Sequence, residues 1–112
     1  MKNNMDLSGK YTLITGAAGL LGAEHAKALL DVGYNIIITD INIKKLKILQ
    51  LSLNTLYPNK KIVALKMDVS KEESVQKVKK IIINKKYLLK CLVNNAAIDS
   101  KITKNNKMTN SG

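Results

Sequence analysis

The segment Thr15 to Gly22 reads TGAAGLLG, with glycines at positions 16, 19 and 22. What flanks it makes it the most constraining stretch of the chain. Before it, Tyr11 to Thr15 (YTLIT) is a short apolar run that reads as a buried strand. After it, Leu20, Ala23, Ala26, Leu29 and Leu30 recur at helical spacing, which predicts a helix over Gly19 to Val32 with Gly33 as its stop. In such a strand-to-helix turn each glycine has a physical use. Gly16 lets the chain leave the strand sharply, and Gly19 lets backbone amides approach a phosphate with no side chain in the way. Gly22 lets the helix pack closely on the strand. The helix N-terminus adds unpaired N–H groups and a partial positive charge. Glycine turns also join strands to helices with no ligand at all. The strand and helix on either side are the context that the phosphate-binding reading requires.

The remaining pattern extends the same unit. Asn35 to Asp40 (NIIITD) reads as a second strand, and its unbroken isoleucines suit a strand covered on both faces. Asn42 can cap a second helix, carried by Ile43, Leu46, Leu49, Leu53 and Leu56 to about Tyr57 and ended by Pro58. Lys61 to Met67 (KIVALKM) is a third strand. Ser70 and Glu73 read as a capping box for a third helix running through Val75, Val78 and Ile82. Lys90 to Asn94 (KCLVN) is a fourth strand. The order β-α-β-α-β-α-β implies right-handed crossovers and an α/β fold: a Rossmann-like parallel sheet, strand order 3-2-1-4, with flanking helices, ending after the fourth strand. Residues 1–98 form this one unit. Residues 99–112 are polar, rich in lysine and asparagine, and expected to be disordered.

Asp40 gives the glycine turn a ligand. It closes the second strand about 20 residues beyond the turn, where an acidic side chain meets the adenosine ribose of a dinucleotide. Its carboxylate would accept from both ribose hydroxyls and repel the extra phosphate of NADP, which favours NAD. Lys44 and Lys45 lie nearby and could attract that phosphate.

Taken together, TGAAGLLG, Thr39-Asp40, Asp68-Val69 and Asn94-Asn95-Ala96-Ala97 resemble the short-chain dehydrogenase/reductase family over roughly residues 8 to 99. The resemblance implies NAD(P)-dependent oxidation of alcohols or reduction of carbonyls. It places the Asp-Val pair beside the adenine, and the Asn-Asn-Ala segment near the nicotinamide ribose. The expected cofactor site therefore draws Gly16, Ala18, Gly19, Leu20, Leu21 and Gly22 from the turn and Asp40 and Ile41 from the second strand end. It draws Asp68 and Val69 from the third strand end and Asn94, Asn95 and Ala96 from the fourth. Two features depart from the family pattern. Ala97 stands where glycine is usual, and the spacing G-x-x-G-x-x-G resembles the extended branch while Asn-Asn-Ala-Ala resembles the compact one.

The family's catalytic tyrosine, lysine, serine and asparagine would lie beyond the Asn-Asn-Ala-Ala segment, outside these 112 residues, so no catalytic residue is assigned and the chain alone is expected to be inactive. Tyr57 and Lys61 match Y-x-x-x-K, but Pro58 intervenes and the pair falls in a turn. His25 reads as partly exposed helix surface, Cys91 as a small buried hydrophobe, and Asp99 and Ser100 as solvated loop. No cluster has metal-ligand spacing. The formal charge of +11 raises the question of nucleic acid, yet all 19 basic residues are lysine and aromatics make up only 4%. There is neither a bidentate arginine reader nor a row of stacking rings, so no specific nucleic-acid partner is expected. No apolar run is long enough to span a bilayer and no leader pattern is visible, which suggests the cytoplasm. An uncovered fourth strand would be a sticky edge, so self-association there is expected. Two rival readings remain, a non-catalytic nucleotide-binding module and a small basic interaction protein.

Overall fold

The computed structural model describes residues 6–96, and all structural statements concern these. The order is β1 (Lys10–Thr15), α1 (Gly22–Val32), β2 (Asn35–Asp40), α2 (Ile43–Leu56), β3 (Ile62–Lys66), α3 (Glu72–Asn84) and β4 (Leu88–Asn94). The strands form one four-stranded sheet in the order β3-β2-β1-β4, every pairing parallel, as the sequence implied. Expectations for Ala97, Asp99, Ser100 and the 99–112 tail fall outside the described residues.

The isoleucine run explains the centre of the sheet. Ile36, Ile37 and Ile38 of β2 are all completely buried, although consecutive strand residues face opposite sides. Both faces are therefore covered. On one side, Ile14, Ile36 and Ile38 pack with Ala26 and Leu30 of α1 and Leu46 and Leu53 of α2. On the other, Tyr11 and Ile37 pack with Met67 and with Val78 and Ile82 of α3. Each fully buried isoleucine contributes roughly 1.5–3 kcal/mol. The polar start of β2 is also satisfied. Asn35 is buried, and its side-chain oxygen accepts from the Lys61 N–H at 2.9 Å, joining the entries of β2 and β3.

Local signals held at most helix ends. Gly33 takes the left-handed conformation (φ 117°) after α1, and Asn42 caps α2 by accepting from the Lys45 N–H. Two did not. Helix α1 starts at Gly22 rather than Gly19, because residues 16–21 are spent in tight turns, with Gly19 N–H on the Gly16 carbonyl and Gly22 N–H on that of Gly19. The capping box at Ser70 does not form. The Ser70 hydroxyl and N–H both go to the Asp68 carboxylate, a charged acceptor two residues back, and Lys71 occupies the cap position with no side-chain bond. Ser74 ties the helix instead, accepting from the Asp68 N–H at 2.8 Å.

Strand β4 is the weakly covered element. It begins at Leu88, two residues earlier than expected, and its pairing with β1 shifts register between Tyr11 and Thr12. Among the described residues it pairs only with β1. Leu88, Leu89 and Leu92 are 50%, 37% and 60% exposed. Cys91, expected to be buried, is half-buried for the same reason. Beside α3, Leu89, Leu92, Leu13 and Ile83 border an open, largely apolar trough of about 540 Å³.

Candidate dinucleotide site

All strands run parallel, so their C-terminal ends share one edge of the sheet. That edge gathers the glycine turn after β1, Asp40 and Ile41 after β2, Asp68 and Val69 after β3, and Asn94 to Ala96 at β4. The crevice outside the carboxyl ends of the strands is where open α/β sheets hold ligands.

Gly16 has φ +60°, and a Cβ there would lie 2.6 Å from the Asn95 carbonyl oxygen and 2.7 Å from the backbone of Ala96. The side chain it lacks would strike the exit of β4, not the space a phosphate would fill. A Cβ on Gly22 would lie 2.0 Å from the carbonyl oxygen of Ala17, so this glycine lets α1 close on the turn residue Ala17 rather than on the strand itself. Gly19 differs: a Cβ there would meet only the Gly16 carbonyl, at 3.2 Å. The protein's own packing hardly needs glycine at 19, which fits a surface kept bare for a ligand.

Hydrogen bonds lock the four strand ends together. The Ala17 N–H donates to the Thr39 carbonyl and the Ala18 N–H to Asp40 Oδ2, both at 2.9 Å. Asp40 Oδ1 accepts from the Asn42 N–H at 2.9 Å. The Thr15 hydroxyl donates to Asn94 Oδ1 at 2.5 Å, and the Asn95 N–H to the Thr15 carbonyl at 3.1 Å. Asn94 Oδ1 also accepts from the Ala96 N–H at 3.3 Å. Val69 packs into the α3-side core, while Asp68 is held by Ser70.

The edge suits a flat, partly apolar, anionic ligand. Among the described residues no side chain caps the N-terminus of α1; the Gly22 N–H is on the Gly19 carbonyl, which leaves the Ala23 and Glu24 N–H groups for an outside acceptor. Leu20, Leu21 and Ile41 flank the turn at 96%, 59% and 58% exposure, apolar surface that burial under a ligand would relieve. The Asn95 side-chain nitrogen is buried and has no hydrogen-bond partner among the described residues, a donor open to a further acceptor.

Three contributors were missed in the sequence. Thr15 and Thr39 tie strand ends, and Lys66 is the β3 register partner of Asp40. Strand register carries no local signal, so only the threonine flanking the glycine turn could have been suspected. Lys45 shares a shallow groove with Ala18 and Gly19.

The other candidates lie elsewhere. Tyr57 and Lys61 sit before β3, at the end of the sheet opposite the glycine turn. The Tyr57 hydroxyl donates to the Asp31 carboxylate at 2.7 Å, and that bond, with burial and the carboxylate's charge, raises its pKa above the ordinary tyrosine value. A proton donor working near neutral pH needs the opposite shift. His25 is half-buried on α1, its Nδ1 lacking a partner among the described residues. Among the described residues no group of three or more His, Cys, Asp or Glu side chains could hold a metal ion, and no helix is long and apolar enough to cross a membrane.

Known proteins share this fold. The chain is similar to a short chain dehydrogenase/reductase of Colletotrichum higginsianum, 37% identical over 97 residues that make up 87% of this chain and 35% of that protein. Its fold matches the 2-keto-3-deoxy-D-gluconate dehydrogenase of Streptococcus agalactiae with a TM-score of 0.71, at 28% identity, over 82% of this chain and 34% of that one. An NAD+-bound xylitol dehydrogenase matches with a TM-score of 0.62, at 27% identity, over 71% of this chain and 30% of that one. The chain thus spans about a third of the length of these relatives. The short chain dehydrogenase family model matches residues 10–111, nearly the whole sequence, and this chain belongs to that family.

Proposed function

We propose that this chain carries the dinucleotide-binding part of an NAD-dependent oxidoreductase acting on alcohol and carbonyl groups. The observation that carries the reading is the interlocked sheet edge, where a bare glycine, an uncapped helix N-terminus and a fixed carboxylate stand together. The N–H groups at the start of α1 receive the pyrophosphate. Each oxygen of Asp40 already accepts one backbone N–H and keeps lone-pair capacity for a ribose hydroxyl. Its charge disfavours a 2′-phosphate, so NAD is preferred over NADP, with Lys45 and Lys66 softening the preference. Asp68 and Val69 flank the adenine, Leu20, Leu21 and Ile41 cover the cofactor, and Asn94 to Ala96 reach its nicotinamide ribose.

Bound NAD supplies the hydride acceptor, or NADH the donor. The part of these residues is to bind and orient it. We infer that the 112 residues alone turn over no substrate, a reading supported by the placement of Tyr57 and Lys61 away from the site. The exposed leucines of β4 support self-association through that strand. A single cysteine suits the reducing cytoplasm.

Calorimetry with NADH and NADPH tests the cofactor assignment. NADH is expected to bind more tightly. Tighter NADPH binding, or no binding of either, would overturn it.

A further inference from the structure

We infer that Asp40 is a positioning residue for the phosphate-binding turn, besides its part at the ribose, on which reading this one rests. Its carboxylate sits between two loops and bonds to both. Oδ2 accepts from the Ala18 N–H, in the middle of the glycine turn, and Oδ1 accepts from the Asn42 N–H, at the cap of α2. Its own carbonyl accepts from the Met67 N–H beyond β3 at 3.0 Å. One residue therefore ties together the exits of β1, β2 and β3.

The Ala18 bond matters most. The turn is held on β2 by two consecutive amides, Ala17 on the Thr39 carbonyl and Ala18 on the Asp40 carboxylate. Gly19 follows directly, and the bonds that hold it, its N–H on the Gly16 carbonyl and its carbonyl under the Gly22 N–H, stay within the turn. The placement of the bare segment on the sheet edge thus depends on the anchor just before it. A carboxylate accepting a backbone N–H makes a charge-assisted bond, stronger than one between neutral groups. The anchor shapes the cradle before any ligand arrives, and such preorganisation removes an ordering cost from binding.

The two roles of Asp40 make opposite forecasts for a ligand without ribose hydroxyls. 2′,3′-Dideoxyadenosine 5′-diphosphate keeps the adenine and the pyrophosphate and offers the carboxylate nothing to accept. If Asp40 acted only at the ribose, Asp40→Ala would leave this ligand unaffected or bind it more tightly, since a negative charge beside its phosphates is gone. If Asp40 anchors the turn, Asp40→Ala should weaken it at least 5-fold. NADH should weaken further, because it loses the ribose contact as well.

The experiment measures both ligands by calorimetry on the wild-type chain, Asp40→Ala and Asp40→Asn, with amide hydrogen exchange at Ala18 and Asn42 followed by NMR. Both amides should be protected in the wild type. In Asp40→Ala they should exchange at least 10-fold faster while the central amides of β2 stay slow. Asp40→Asn keeps one acceptor oxygen and should restore protection at one of the two amides. Fast exchange at Ala18 in the wild type would overturn the inference even if neither variant folds. So would unchanged or tighter dideoxy-ADP binding with Ala18 still protected in the alanine variant. Failure of the wild type to bind NADH would instead sink the cofactor reading, and the exchange data would judge the anchor alone.

Discussion

Replacing Gly22 and Gly19 by alanine, one at a time, should separate packing from ligand binding within a single turn. At position 22 the new methyl carbon would lie 2.0 Å from the Ala17 carbonyl oxygen and 2.4 Å from its carbonyl carbon. Ordinary contact starts at 3.4 Å, so the helix or the turn must move by about 1.4 Å. Ala17 cannot yield easily, being fully buried with its N–H on the Thr39 carbonyl. Overpacking of this kind costs about 1–3 kcal/mol, against at most about 1 kcal/mol regained from alanine's helix propensity. A net loss of about 1–2 kcal/mol should lower the melting temperature by roughly 4–16 °C in a domain of this size. At position 19 the methyl would meet one carbonyl oxygen at 3.2 Å, with a backbone that alanine can adopt. Stability should change by less than about 0.5 kcal/mol, as at a surface site. On the proposed site, NADH affinity should nevertheless fall at least tenfold, because the methyl would stand where the pyrophosphate is proposed to approach. Circular dichroism melts and NADH titrations of both variants give the comparison. A Gly22→Ala protein as stable as wild type would refute the packing argument, and a Gly19→Ala protein that binds NADH normally would refute the phosphate assignment.

Three further outcomes follow from particular contacts. The Thr12 hydroxyl is fully buried with no partner among the described residues, so Thr12→Val should stabilise the fold by about 1 kcal/mol, and a lower melting temperature would contradict this. Leu92→Lys, at a β4 residue that is 60% exposed, should shift sedimentation at micromolar concentration from associated species toward monomer; an unassociated wild type would remove the case for a sticky edge. The pKa of Tyr57 is raised by its bond to Asp31, and that of Tyr11 by burial and the neighbouring Tyr87. A raised folded-state value means that the stabilisation is complete below the free tyrosine value of about 10 and is lost as pH climbs through the folded value. Stability should therefore be insensitive to these groups up to about pH 10 and fall above it. Spectrophotometric titration should show late-ionising tyrosines, and Tyr57→Phe should leave NADH binding intact.

The sequence by itself determined the elements, their order and the family, because those depend on signals that are local. Ile36 to Ile38 announce a strand covered on both faces, Gly33 and Asn42 mark helix ends, and the three glycines between a strand and a helix mark the turn. Parallel topology then brings every strand exit to one edge, which makes Asp40, Asp68 and Asn94 legible as site candidates from the sequence alone. Tertiary structure decided what each group does there. That Gly16 is bare for the sake of Asn95 and Ala96 could not be read from the turn, since those residues lie at the far end of the chain. Ser70 lost its capping role to a competition with Asp68 that only three-dimensional geometry settles. The neighbours of Asp40, Lys66 by strand register and Ala18 by hydrogen bond, follow from how β1, β2 and β3 align, and register has no local code.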